Sequence, residues 1–152
     1  MKIDPKLDLV LERVVDVPAE LVWAAWTKPE HVVKWFTPAP WTTVKCEIDL
    51  RVGGAWRFVT RKPDGREIVQ FGAFTEVAPP ERFAKTERWI DWDVGEVLVT
   101  NELVERAGKT TLTSITCYPS SKVRDELVEA GAHRNVHEHY EHLVALLAEM
   151  DA

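Results

Sequence analysis

The chain has 152 residues, 45% hydrophobic and 29% charged, with a net charge of −6. That is the composition of one globular domain spanning residues 1–152, long enough to bury roughly 70% of its unfolded surface. The negative balance excludes non-specific nucleic-acid binding and docking on anionic membranes, and no apolar run approaches the roughly twenty residues of a membrane-spanning helix. The start, MKIDPKLDL, has no apolar signal-peptide core, so a cytoplasmic location is expected.

The first element is a strand over Asp8 to Asp16. Leu9, Leu11 and Val15 fall on one face and Val10 and Val14 on the other, so both faces are at least partly covered. Pro18 suits the first turn of a helix carried by Leu21, Val22, Ala25 and Trp26. Thr27 and Lys28 stop it, and Pro29 and Glu30 start a second short helix through Phe36. Pro38 and Pro40 end that helix.

Strands follow. Val44, Cys46, Ile48 and Leu50 alternate with Lys45, Glu47, Asp49 and Arg51. Gly53-Gly54 marks a hairpin turn, after which Trp56, Phe58 and Thr60 face one side and Arg57, Val59 and Arg61 the other. Pro63-Asp64-Gly65 makes the next turn. Glu67 to Val77 is a strand whose internal Gly72 signals a bulge or close packing. Phe83 to Trp92, Glu96 to Glu105 and Thr110 to Tyr118 complete the set, with turns at Gly95 and at Ala107-Gly108-Lys109.

The last stretch, Ser121 to Asp151, reads as one helix about 45 Å long. Val128, Ala132, Val136, Tyr140, Leu143, Leu147 and Met150 form its apolar stripe, and Ser120 or Ser121 can cap its start. Gly131 inside it predicts a kink or break. Strands joined by short turns form an antiparallel meander, so the fold class is α+β: a curved sheet wrapped around a long C-terminal helix, with two short helices after the first strand.

The composition holds seven Trp, four of them between Trp23 and Trp41. Each can bury about 200 Å². Most are expected to fill the core, and their number also suits an aromatic-lined pocket. Cys46 and Cys117 are expected to be buried, reduced thiols.

Several blocks resemble one family, in order along nearly the whole chain. They are Trp23-Ala-Ala-Trp26-Thr27-Lys28-Pro29-Glu30-His31 with Trp35-Phe36, then Cys46 to Arg57 around Gly53-Gly54, then Pro79-Pro80-Glu81-Arg82-Phe83, then Lys109 to Thr113. The family is similar to the C-terminal domain of the activator of heat-shock-protein-90 ATPase, within the START-like, birch-pollen-allergen-type (SRPBCC) superfamily. The resemblance implies the helix-grip fold, in which a seven-stranded sheet grips the last helix around a cavity. Many members carry Gly-Trp on that helix where this chain has Asn135-Val136, which predicts a larger space beside it.

Four of the five His, His133, His137, His139 and His142, lie on the last helix. His133 and His137 have a spacing that can bind zinc, but no further ligand is identifiable, so neither a metal nor another cofactor is expected. Glu47, Arg57, Gln70, Glu87 and Asn101 lie among apolar strand residues; alternation puts most of them on the outer, solvated face. Any that point inward would mark a binding site, because an isolated buried charge is costly. Motifs for a nucleophile elbow, a phosphate loop or a dinucleotide site are missing.

The leading expectation is a binding module for a small hydrophobic or aromatic molecule held between sheet and last helix. Its candidate lining is Trp35, Trp41, Trp56, Phe58, Phe71, Trp89, His133, His137 and Tyr140. A protein-interaction role, with a chaperone or other protein as partner, is the alternative that the family name suggests. A cyclase-like enzyme using a cavity acid or base is a further alternative, and catalysis is less expected than binding. Monomer and homodimer are both compatible with an open sheet edge.

Overall fold

The computed structural model describes residues 4–36, 41–90, 93–129 and 132–151, and their side chains apart from those of 132–138. Seven strands form one sheet: β1 (Asp8–Val15), β2 (Thr42–Ile48), β3 (Ala55–Arg61), β4 (Glu67–Ala78), β5 (Arg82–Trp89), β6 (Val97–Arg106) and β7 (Lys109–Cys117). Their order across the sheet is β1-β7-β6-β5-β4-β3-β2, every neighbouring pair antiparallel. β2 to β7 are joined in chain order as a meander. β1 sits beside β7 at one edge, so the two helices α1 (Ala19–Thr27) and α2 (Pro29–Trp35) carry the chain from that edge to β2 at the other.

Local chemistry sets these helices. Glu105 on β6 accepts the Ala19 N–H at 2.6 Å, so a strand carboxylate satisfies a free donor at the start of α1. Pro29 occupies the first turn of α2, where its missing N–H costs nothing. Trp35 ties the two together by donating from Nε1 to the Ala25 carbonyl at 2.8 Å.

The C-terminal stretch is helical over α3 (Ser121–Glu129) and α4 (Ala132–Met150), on either side of two residues that lie outside those described. Gly131, where a break was expected, lies outside the described residues. Ser120 caps α3 by accepting the Val123 N–H at 3.2 Å. On α4, Tyr140, Leu143, Leu146 and Leu147 are buried against the sheet.

The inner face of the sheet carries two apolar clusters. The larger joins Leu11, Val15, Trp56, Phe58, Phe74, Phe83, Leu103 and Leu112 to α1, α2 and α4. The smaller joins Leu9, Val97, Val99 and Tyr118 to Leu127 of α3, with Trp89 packed against it. Cys46 and Cys117 are free thiols, half-buried rather than fully buried.

Candidate functional site

β5 runs from one apolar cluster to the other, and its inner-face residues are Phe83, Lys85, Glu87 and Trp89. Phe83 meets Trp23, Trp26 and Phe74 edge-on in the larger cluster. Trp89 belongs to the smaller one. Between them the inner face is polar. Cross-strand register puts Lys85 opposite Phe74 and Val99, Glu87 opposite Val97, and Asn101 opposite Phe83 and Ser114. Gln70 lies opposite Phe58 and donates from Nε2 to Glu87 Oε1 at 3.1 Å. Gln70, Glu87 and Asn101 therefore point inward, which corrects the expectation that most such residues face out. Arg57 and Glu47 do face solvent, and Glu47 pairs with Lys45 at 2.9 Å.

The regular β4–β5 pairing is interrupted beside this group. Paired residues flank a gap, Phe71 with Arg88 on one side and Phe74 with Lys85 on the other. Within it, the Ala73 N–H turns to Thr86 Oγ1 at 3.1 Å, and the Thr86 carbonyl accepts Trp56 Nε1–H at 2.9 Å. The indole reaches across β4 because Gly72 has no side chain there. Gly72 thus serves close packing, the second of the two roles expected for it. Trp56 is fully buried, and its ring forms a platform on which the Lys85 ammonium stands 3.8 Å from the centroid, with Phe58 at 5.1 Å.

Lys85, Glu87 and Gln70 are each half-buried although they occupy the middle of the inner face. Burial pushes the Lys85 ammonium below the usual lysine range, opposed by the nearby Glu87 and Cys46. Burial raises the Glu87 carboxyl, opposed by Lys85 and the Gln70 hydrogen bond. Both groups are thus drawn towards their neutral forms. Cys46, on the inner face of β2, is pushed up to about 11 by burial and remains a thiol. Tyr118 is raised to about 12 by burial, then by Glu87.

From α4, His139 packs its ring 5.2 Å from that of Phe36, which meets Phe58 at 5.0 Å. Burial, helped by His142, lowers His139 to about 4. Tyr140 is raised to about 12 by burial and shares a side-chain hydrogen bond with Ser114.

Of the nine candidate lining residues, Trp56 and Phe58 lie under Lys85, Trp35 and Tyr140 belong to the same cluster, and Trp89 borders the far side of the polar band. Phe71 points to the outer face, opposite Arg57 and Arg88. Trp41 stands at the β2 edge, 40% exposed, beneath the Lys62 ammonium. His133 and His137, and the Asn135-Val136 pair, lie outside the described side chains. Among the described residues no cluster of metal-ligating side chains occurs, and no helix is long and apolar enough to cross a membrane. A separate open groove of about 330 Å³ lies between the end of β1 and the last turns of α4, lined by Val15, Val17, Val144 and Leu147 among others. Lys85 was missed in the sequence, although alternation from Phe83 to Trp89 places both charges on the aromatic face of β5.

A seven-stranded antiparallel sheet with two helices inserted after its first strand and a C-terminal helix against its inner face is the helix-grip architecture of START-like proteins. More narrowly, the family model described as Activator of Hsp90 ATPase homolog 1-like protein matches residues 16–148, and the chain belongs to that family. A solved protein of Nitrosomonas europaea is similar, with 32% identity over 98% of this chain and 99% of that one and a TM-score of 0.89. One from Rhodobacter sphaeroides shares 28% identity, covers 97% of each chain and has a TM-score of 0.89. An AHSA1-like protein of Aeromonas hydrophila, at 22% identity, 92% and 94% coverage and a TM-score of 0.76, shares the fold. A search of curated proteins finds no match.

Proposed function

We propose that this domain binds a small, largely apolar and aromatic molecule against the inner face of the sheet, between the two apolar clusters. One observation carries the reading: Lys85, Glu87 and Gln70 are half-buried at the centre of the face that the helices cover. In a sheet built only for folding, that position is filled by apolar groups, because charges there are costly. Aromatic walls with a few placed polar groups are the usual make-up of small-molecule sites. Trp56 and Phe58 supply the wall nearest the polar groups.

A second reading, acid–base chemistry on the bound molecule, is favoured by the same pair. A lysine and a carboxyl that burial draws towards their neutral forms, side by side on one face of a strand, are the kind of pair that gives and takes protons. Binding is the common requirement of both readings and is tested first. Native mass spectrometry of protein from its own cells should show a small-molecule adduct lost on denaturation. Titration with N-phenyl-1-naphthylamine should saturate, and Gln70→Trp, which fills the band, should abolish uptake while retaining the unfolding temperature. A clean apo mass together with no saturable probe binding would reject the reading.

A further inference from the structure

The sheet ends at β1 on one side and β2 on the other, and the two edges are finished differently. At β1 the Tyr118 N–H donates to the Leu7 carbonyl, so alternation turns the backbone of Asp8 away from β7. Both of its outward groups are taken. The Asp8 N–H donates to the Asp4 carbonyl at 2.8 Å, and the Asp8 carbonyl accepts from Arg124 Nε at 3.3 Å. At β2 the Asp49 N–H donates to the Ala55 carbonyl at 3.0 Å. Alternation back through the pairs Ile48–Trp56, Glu47–Arg57 and Cys46–Phe58 then turns the backbone N–H and C=O of Cys46 and Ile48 outward. Among the described residues no hydrogen bond from outside the sheet reaches these groups. β2 is also the one strand of the seven with no buried residue.

An open edge can be extended by a further strand, and the side chains of β2 fit a second copy of β2. Two identical edges related by a two-fold axis pair antiparallel, so the axis must pass at one residue of the regular stretch Lys45 to Ile48. An axis at Lys45 or at Glu47 sets that charge against its own copy, and one at Ile48 sets Glu47 against Asp49. Like charges directly opposite are destabilising. An axis at Cys46 sets Lys45 opposite Glu47 on both sides, and the outward backbone groups of the two Cys46 residues face each other. Lys45 and Glu47 already pair within one copy at 2.9 Å, so the four charges alternate in sign around the axis. The same axis lays the start of one strand beside the end of the other. Trp41, 40% exposed just before β2, therefore comes beside Val52, 66% exposed just after it. The bulge between Thr43 and Lys45 keeps the paired stretch short, which sets a dimer of modest affinity.

We infer that the partner of this edge is a second copy of the chain, in a two-fold homodimer whose β2 strands pair antiparallel about Cys46. The two sheets become one continuous sheet. Lys45 of each copy faces Glu47 of the other, and Trp41 of each packs near Val52 of the other. The interface lies at the sheet edge and stands apart from whatever the inner face binds.

Sedimentation equilibrium of the unaltered chain, from about 1 μM to about 1 mM, should show a monomer–dimer equilibrium with a dissociation constant of about 1–100 μM. Lys45→Glu puts carboxylates opposite each other at both flanks of the axis, and Glu47→Lys does the same with ammonium groups. Each should weaken the dimer about fivefold or more. Mixed together, the two variants should form a heterodimer in preference to either homodimer, because every opposed pair is then of opposite sign. The double variant Lys45→Glu/Glu47→Lys should regain the original affinity. Cys46→Pro removes an N–H that points away from the sheet, so it should abolish the dimer and keep the fold. The charge variants alter exposed side chains and decide the matter even where Cys46→Pro does not fold. A monomer throughout the concentration range would overturn the inference. A dimer indifferent to the charge variants, or a mixture showing no preference for the heterodimer, would overturn it by placing the contact elsewhere on the surface.

Discussion

A methyl group at position 72 would lie 1.9 Å from the Thr86 carbonyl oxygen and 2.8 Å from Trp56 Nε1. The oxygen is backbone and cannot swing aside, so Gly72→Ala must push β4 from β5 or expel the indole. A loss of about 2–3 kcal/mol is expected, within the range for overpacked cores, and a urea unfolding series reads it. A smaller loss without a change in Trp fluorescence would mean that the strand gap is not needed. His139 gives a second prediction at this scale. Its value falls from 6.5 in the unfolded chain to about 4 in the fold. The neutral ring is the folded form, so its contribution is complete above pH 6.5 and is lost as pH falls towards 4. The loss should reach about 2–3 kcal/mol, and His139→Phe should flatten that part of a plot of urea midpoint against pH. His139 was legible only as one of four helix histidines. What distinguishes it is Phe36, over a hundred residues earlier in the chain, and no local pattern reports such a contact.

Alternation identified each strand but not always which way its residues point. Trp56, Phe58 and Thr60 are on the inner side as their period predicts. Val44 was read in phase with Cys46 and Ile48, yet it is 39% exposed, because the β2 register shifts between Thr43 and Lys45. Such a bulge depends on how two strands pair, which one strand's pattern does not contain. On β5 the period was available from Phe83, Lys85, Glu87 and Trp89. It was obscured because charged residues are ordinarily assigned to solvent. Turns were more legible, since Gly marks them directly. The β6–β7 hairpin turns through Ala107 and Gly108, with φ of 53° and 78°. A two-residue turn of this hand wants Asn or Gly at both positions, and Ala is the less suited of the pair. Ala107→Asn should stabilise the domain by about 1 kcal/mol, seen as a higher thermal midpoint with unchanged ligand affinity. An unchanged or lower midpoint would show that the turn is not under strain.

At the scale of the molecule, the question is what the Lys85–Glu87 pair contributes to folding. Both groups sit among the apolar clusters, and burial works against the charge of each. Glu87 has its carboxyl raised above 4.5, so its stabilising contribution exists at acid pH and is lost as pH rises through its folded value. Lys85 is lowered below 10.5, so its contribution exists at alkaline pH and is lost as pH falls through its folded value. Between those limits each group costs stability, partly offset by their mutual attraction. Replacing a buried pair by apolar residues of similar size is often neutral or stabilising by about 1–4 kcal/mol, whereas removing one partner strands the other. The double variant Lys85→Met/Glu87→Leu should therefore be at least as stable as the natural domain near neutral pH. Its advantage should shrink below pH 4.5 and above pH 10.5, and each single variant should be less stable than the double. Urea unfolding of the four proteins across pH gives the full comparison. A double variant that gains stability while losing probe binding identifies the pair as a functional feature that the fold tolerates. A double variant that falls well below the natural domain would instead make the pair a structural element of the sheet, and Lys85 and Glu87 would no longer argue for a ligand.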